Sequence, residues 1–406
     1  MALMPVDDAL KAILAGVKPL GEEMAALDDA LHRVLSQDLA ARRTQPPQAM
    51  SAMDGYAVRA ADASLGAKLR VIGEIAAGRP FGRIVAQGEA VRIFTGSVVP
   101  DGADTIVIQE NTTRDGDIVV VNEAARGGRH IRGAGIDFRE GDVLFPKGRR
   151  ILDRDLALAA SMNYPQVPVA RRPKVALLAT GDELVMPGGT TGPGQIILSN
   201  GYGLRALARN EGADAIDLGI SADTVEATSQ AIRKARDLGV DILVTTGGAS
   251  VGDHDVVKRS LEAEGVAITF WKIAMRPGKP MMHGRLPADL GGMRVVGLPG
   301  NPVSSYVCAF LFLVPLIRAL LGRIDVDHPH EHAVLGRDLG PNDERAEYMR
   351  AHLKLREDGV PIATPVTQQD SSLSAHLSGA NALVIRPPHA PAAAKGSDCV
   401  ILKLPV

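Results

Sequence analysis

The stretch Asp241-Ile-Leu-Val-Thr-Thr-Gly-Gly-Ala-Ser-Val-Gly-Asp-His-Asp255 decides how the chain is read. Its apolar start predicts a buried strand. The strand breaks into a glycine-rich turn with a helix beginning just past it, which aims several backbone N–H groups at one point near a helix N-terminus, a cradle for an oxyanion. Further on, Arg276-Pro-Gly-Lys-Pro280 places two cations, Arg276 and Lys279, near the end of the next strand-like run, and Gly297-Leu-Pro-Gly-Asn-Pro302 supplies a second glycine turn. In an open α/β sheet such turns gather at the carboxyl ends of the strands, so both are expected to face one crevice. A plain strand-to-helix connection explains a lone Gly-Gly. It explains less well so many of these features in one short stretch.

Around this core the hydrophobic periodicity predicts strands at 175–179, 215–218, 242–245, 267–273 and 295–298, with helices at 201–210, 224–238, about 255–264 and from 303 onward. Strands separated by helices pair in parallel through right-handed crossovers, so residues 171–325 are expected to form a three-layer α/β sandwich with a parallel sheet. Upstream, 5–15 and 25–35 have the spacing of amphipathic helices. Gln45-Pro-Pro-Gln then breaks the pattern, and Asp54-Gly55 within Ser51-Ala-Met-Asp-Gly-Tyr-Ala-Val58 signals a turn. Short β-rich runs at 69–75, 90–94 and 105–109 predict a small β domain, 46–137, inserted into a helical elongated domain made of 1–45 and 138–170. A helix at 153–162 and a linker at Pro165 and Pro168 complete that domain. Thr95-Gly96, after a strand-like run, presents a hydroxyl at a turn. The last residues, 326–406, read as short strands at 347–355, 382–385 and 400–404, a small C-terminal β barrel or sandwich.

Composition narrows the function. With 406 residues the chain exceeds one compact core. The 45 basic and 47 acidic side chains leave a net charge of −2, so no field-driven nucleic-acid or membrane partner is expected. Aromatics at 3% argue further against base-stacking surfaces. The only cysteines, Cys308 and Cys399, lack metal-ligand spacing, which predicts reduced thiols and a cytosolic protein. No signal-peptide pattern is apparent at the N-terminus. The apolar run 303–321 is interrupted by Ser304, Ser305, Pro315 and Arg318, so it is read as a buried core helix and not a membrane span.

Acidic residues recur at predicted turns: Asp54, Asp137, Asp182, Glu183, Asp223, Asp253 and Asp255. Beside an anion cradle, carboxylates repel the ligand unless a divalent metal lies between, and hard oxygen ligands with phosphate suit Mg²⁺. Ordinary capping and turn roles are the alternative for each one singly. Glu183, at the end of the strand 175–179, is the best placed. His328-Pro-His-Glu-His332 resembles a zinc cluster but lacks a second ligand set and is read as a solvated linker. A nucleophile elbow, a Walker A motif and the dinucleotide glycine spacing are all absent.

Taken in order, Ser51-Ala-Met-Asp-Gly-Tyr-Ala, Arg92-Ile-Phe-Thr-Gly, Thr180-Gly-Asp-Glu-Leu, Thr246-Gly-Gly-Ala-Ser-Val-Gly-Asp, Pro277-Gly-Lys-Pro and Gly297-Leu-Pro-Gly-Asn-Pro-Val-Ser resemble the molybdopterin molybdenumtransferases, the MoeA or gephyrin family. The resemblance implies a four-domain homodimer in which the inserted β domain of one subunit faces the molybdopterin-binding α/β domain of the other. It implies that molybdate is inserted into adenylylated molybdopterin with release of AMP in the presence of Mg²⁺. By the same resemblance Asp54, Thr95, Asp137, Glu183 and Asp255 are catalytic, Glu183 and Asp255 hold the metal, and Asp223, Gly247, Gly248, Ser250, Pro299, Asn301 and Pro302 bind substrate. Arg276 and Lys279 receive the tetraoxo anion, helped by Arg350 and Ser371. Arg276 stands where the family commonly has Lys, and Leu198 where Asn or Asp is frequent. Other cofactor-synthesis proteins and apo-molybdoenzymes are the implied delivery partners, and a non-catalytic pterin-binding scaffold is the competing reading. Adenylyl transfer to molybdopterin is a third reading, less favoured because it needs no inserted β domain.

Overall fold

The computed structural model describes residues 3–76, 78–247, 256–270 and 272–405. Helix α1 (Val6–Leu14) forms as expected, but its buried Ala9 and Ile13 join the apolar cluster of the central α/β unit. Arg294 holds it there by donating to the carbonyls of Ile13 (2.8 Å) and Ala15 (3.1 Å), acceptors that a helix C-terminus leaves unsatisfied.

The helix expected at 25–35 is not one. Glu22–Ala26 is a strand paired antiparallel with Gln166–Ala170, and a 3₁₀ turn at Leu27–Asp29 and His32 at φ 63° follow it. Ala25, Leu35, Val167 and Val169 are buried together across this ribbon. Such packing outweighs a helix propensity of only about 0.5 kcal/mol per residue. The expected linker at Pro165 and Pro168 is corrected by the same pairing. Pro168 lies within the partner strand, opposite Met24, where a two-stranded ribbon leaves a free edge for it. Helix α2 (Asp153–Ser161) forms as read.

The inserted unit is a six-stranded sheet in the order Thr105–Ile108, Gly55–Val58, Glu89–Ile93, Lys68–Ile75, Ile118–Val121, Thr112–Asp115. Apolar clusters cover both of its faces.

The central unit carries strands β1 (Lys174–Thr180), β2 (Asp214–Ser221), β3 (Ile242–Thr246), β4 (Ala267–Phe270), β5 (Met282–Arg285) and β6 (Arg294–Leu298), in the spatial order β2-β1-β3-β6-β5-β4. The first four in that order run parallel. β5 and β4 are antiparallel to their neighbours, because the connections flanking β5 are too short for a crossover helix. Strand β5 has no counterpart in the sequence reading.

Helices α3 (Asn200–Asn210) and α6 (Pro302–Leu320) pack with α1 on one face. Helices α4 (Val225–Asp237) and α5 (Val256–Ala263) cover the other. Of the described residues, α6 alone is long and apolar enough to cross a membrane, yet 83% of its apolar window is buried inside the protein. Its middle, Ala309–Leu313, is a π-helical turn, which relieves Pro315 of an i→i−4 bond that it cannot donate.

The C-terminal unit closes into a barrel: Ala346–Leu355 pairs on one side with Pro361–Pro365 and on the other with Ala382–Arg386, and Glu331–Leu335 and Asp398–Lys403 complete the ring. The histidine linker is not wholly solvated. His328 stacks on Phe310 at 3.8 Å, and its Nε2 lies 2.6 Å from the Phe310 carbonyl. Burial pushes this imidazole down to about 4, so it is neutral and donates. No group of three or more His, Cys, Asp or Glu able to hold a metal ion occurs among the described residues.

Candidate functional site

Register places the predicted turns on one edge. Ala179 of β1 lies opposite Thr246, Thr180 opposite Ser221, Thr246 opposite Leu298, and Gly297 opposite Met282. The segments leaving the sheet just beyond these pairs are Gly181–Glu183, Ala222–Asp223, Gly247 and Pro299–Asn301, with Lys279 entering on the same edge. This is the carboxyl edge of the parallel strands, where ligands of such sheets gather.

A cleft of about 400 Å³ opens there, walled by Thr180, Glu183, Leu198, Asn200, Gly247, Gly300, Asn301, Pro302 and Ser372. A larger hollow of about 540 Å³ lies between α1, α6 and the barrel, around Asp7, Leu10, His328 and Tyr348. None of the predicted site residues lines it, so the chemistry points to the smaller cleft.

Two glycines shape this corner, Gly247 on the cleft wall and Gly181 beneath Glu183. Gly247 has φ +90°, and a Cβ there would stand 2.3 Å from the Thr180 carbonyl oxygen. The β1 and β3 ends therefore meet only because no side chain intervenes. Gly181, at φ +146°, lies under the Glu183 carboxylate, whose Oε2 would be 2.4 Å from a Cβ. Glu183 thus folds back over its own turn and faces the cleft. Three carboxylates crowd this corner: the Asp223 N–H donates to Asp182 Oδ1 at 3.2 Å, and burial, followed by the charges of Asp182 and Glu183, raises the Asp223 pKa. Like charges gathered this way favour the protonated form of one of them.

The opposite wall comes from the start of α6 and from the barrel. Asn200 Nδ2 donates to the Gly300 carbonyl at 2.7 Å, tying the α3 start to the second glycine turn. Asn301 Nδ2 donates to Ser371 Oγ at 2.8 Å, and the Val303 N–H donates to the Ser371 carbonyl at 3.0 Å. Pro299 is buried just inside this turn.

Arg350 is 1% exposed. Its guanidinium donates to the carbonyls of Gln368 and Leu373 and to Gln369 Oε1, each at 3.3 Å. It therefore holds the loop that carries Ser371 and Ser372 to the cleft and is not itself part of the wall. Arg276 also departs from expectation. It lies on the strand Met275–Arg276, paired with the barrel, and its guanidinium is bound by Glu347 (3.1 Å) and Asp343 (3.4 Å). Lys279 is exposed on the cleft edge without lining the cleft. Gly248, Ser250 and Asp255 lie outside the described residues.

Asp54 and Thr95 meet in the inserted unit. The Thr95 N–H and Oγ1 each donate to Asp54 Oδ1 at 2.8 Å, and these two bonds hold the Asp54 carboxyl below its ordinary pKa. Asp137 is exposed on a neighbouring loop, anchored by its N–H to the Gln45 carbonyl at 3.1 Å, with no hydrogen bond to that pair. Within one chain neither acid lines the cleft. The sequence reading did not assign Asn200, Thr180 or Ser372. Of these Thr180 opens one of the quoted motifs and Asn200 stands at a helix start beside Ser199, while Ser372 had no visible signal.

Fold and site define an enzyme-like α/β domain with a polar cleft at its carboxyl edge, flanked by an inserted β domain and a C-terminal barrel. Three family models match in order: the MoeA N-terminal region (domain I and II) over residues 4–163, a probable molybdopterin binding domain over 176–319, and the MoeA C-terminal region (domain IV) over 332–404. Molybdopterin molybdenumtransferases of Bacillus subtilis and Nostoc are 35% and 34% identical, each over 95% of this chain and 90% and 89% of their own lengths. The crystal structure of the molybdopterin biosynthesis MoeA protein of Pyrococcus horikoshii superposes with a TM-score of 0.84 at 29% identity, covering 99% of both chains. This chain belongs to the MoeA family.

Proposed function

We propose that the chain is a molybdopterin molybdenumtransferase, which inserts molybdate into adenylylated molybdopterin, hydrolyses the pyrophosphate link and releases AMP. The observation that carries this reading is Glu183 facing a cleft whose walls include Gly247, the turn at Gly300 and the start of α6. Such a glycine turn and helix N-terminus suit phosphate oxygens, and Lys279 on the same edge adds positive charge. Hydrolysis needs one P–O bond broken and a water oxygen added to phosphorus. Such a step depends on positioning and charge neutralisation more than on a covalent nucleophile.

A magnesium ion would supply charge neutralisation at the phosphates. It is commonly held by one or two carboxylates together with substrate oxygens and water. Glu183, on the cleft wall, is the proposed ligand. Asp255 is the second proposed ligand. The Asp54–Thr95 pair is proposed to reach the cleft of a second copy in a homodimer, since it does not line the cleft of its own chain. A cytoplasmic location is proposed with it.

The test is incubation of purified protein with adenylylated molybdopterin, molybdate and Mg²⁺. AMP release supports the enzyme. Tight substrate binding with no AMP supports a pterin scaffold in its place.

A further inference from the structure

Helix α3 carries Gly203 one turn into its length, although Gly in a helix interior is less favourable than Ala. No packing demand explains it: a Cβ at Gly203 would meet nothing within 4 Å. The open space is a side slot of about 180 Å³ between α3, α6 and α7 (Ser374–Ser378) of the barrel unit. It shares Ser199, Asn200 and Pro302 with the cleft, so the two are continuous.

The slot differs from the cleft in character. No Asp, Glu, Lys, Arg or His lines it. Leu204, Leu377 and the Tyr306 ring give it apolar walls, and burial keeps the Tyr306 phenol neutral by raising its pKa. Ser305 also lines it, is 1% exposed, and its Oγ has no hydrogen-bond partner. A helical serine ordinarily turns back to the carbonyl four residues earlier. A buried hydroxyl without a partner is costly, and the residue that carries it lines the slot. Whole-ligand pockets run to roughly 300–1,000 Å³, so this slot holds one part of a ligand and not all of it.

We infer that the slot beside Gly203 receives an uncharged planar ring of the cleft's ligand, a fused heterocycle of purine or pterin type, with Ser305 bonding its polar edge. The inference rests on the proposed function, whose substrate carries both ring types. Gly203 is small because a side chain there would fill the ring's place. The charged diphosphate is left to the cleft, and the slot excludes it by offering no cation.

The test is titration of the full-length protein and its Gly203→Leu and Ser305→Ala variants with three probes: AMP, 6-hydroxymethylpterin and inorganic pyrophosphate. Gly203→Leu, an open helical position, is expected to fold with a Tm no lower than wild type. It should weaken binding of one heterocycle by about tenfold or more while leaving pyrophosphate unchanged, and Ser305→Ala should weaken the same heterocycle by a smaller factor. Loss of AMP binding identifies a purine as the occupant, and loss of pterin binding identifies a pterin. Equal affinity of wild type and Gly203→Leu for both heterocycles overturns the inference, as does failure of the wild type to bind either. AMP release measured in parallel separates the two claims. Turnover with heterocycle binding indifferent to Gly203 sinks the slot alone, and Gly203-sensitive binding without turnover sinks the proposed function alone.

Discussion

Thr95 donates two hydrogen bonds to a single oxygen of Asp54, one from its backbone and one from its hydroxyl, each 2.8 Å long. A carboxylate held this way is fixed in direction and kept ionised, which suits a residue offered to a ligand at the end of a turn. Asp54 has its pKa lowered first by the Thr95 backbone bond and then by the hydroxyl. Thr95→Val removes only the hydroxyl, so the Asp54 pKa should rise part of the way toward its unfolded value. The carboxylate resonances of Asp54 followed by NMR across acid pH report this directly, and an unmoved titration contradicts it.

Glu183 is expected to separate binding from turnover. Glu183→Gln keeps the shape of the cleft and removes a charge. AMP release should fall by about a hundredfold or more, as for loss of one electrostatic group in an active site, while substrate affinity stays within a fewfold. Parallel loss of both would assign Glu183 to binding.

Arg350 is expected to matter for the barrel loop. Arg350→Met leaves the Gln368 and Leu373 carbonyls without their guanidinium donor, while Gln369 Oε1 keeps the Arg350 backbone N–H at 3.1 Å. These acceptors are only part-buried, so the loss is expected at or below the low end of the roughly 1–3 kcal/mol that a fully buried unpaired group costs. Denaturant unfolding should show that loss, and Arg350→Lys should not restore it, because an ammonium cannot reproduce the guanidinium fork.

Acid should loosen the α/β unit in a defined window. His283 is 3% exposed, neither ring nitrogen has a partner, and burial with Arg294 and Arg285 nearby pushes it down to about 4. Its folded pKa lies below its unfolded value near 6.5. The stability it contributes is therefore complete above that value and is lost as pH falls toward about 4. His328 acts in the same window. His283→Phe should flatten the dependence of unfolding free energy on pH between about 6.5 and 4. An unchanged slope would show that His283 does not titrate with unfolding.

The end of β3 at Gly247, the turn after β6 and the alternation of the central domain were legible because a strand buried on both faces is uninterrupted in its apolar run and glycine marks where it must stop. Strand β5 was not, since His283 and Gly284 break its apolar character and only its pairing with β6 makes it a strand. The ribbon at Glu22–Ala26 was hidden because its apolar spacing fits a helix equally well and its partner lies far along the chain. Arg276 and Arg350 were expected as anion ligands from the family resemblance, and Arg276 also from its place near a strand end. Only the fold reveals that Glu347 and Asp343 hold one and that backbone carbonyls hold the other. The crowding of Asp182, Glu183 and Asp223 likewise depends on β1 and β2 ending side by side. Gly203 gave no signal at all, because the space beside it belongs to two other helices.

The central claim is that Glu183 of one chain and Asp54 of a second copy serve one cleft. The most direct measurement is AMP release by mixed dimers of Asp54→Ala and Glu183→Gln chains, each inactive alone. One intact cleft per mixed dimer should form, restoring about half the wild-type rate per mixed dimer. A mixture as silent as its parents, with mixed dimers verified, would contradict the account.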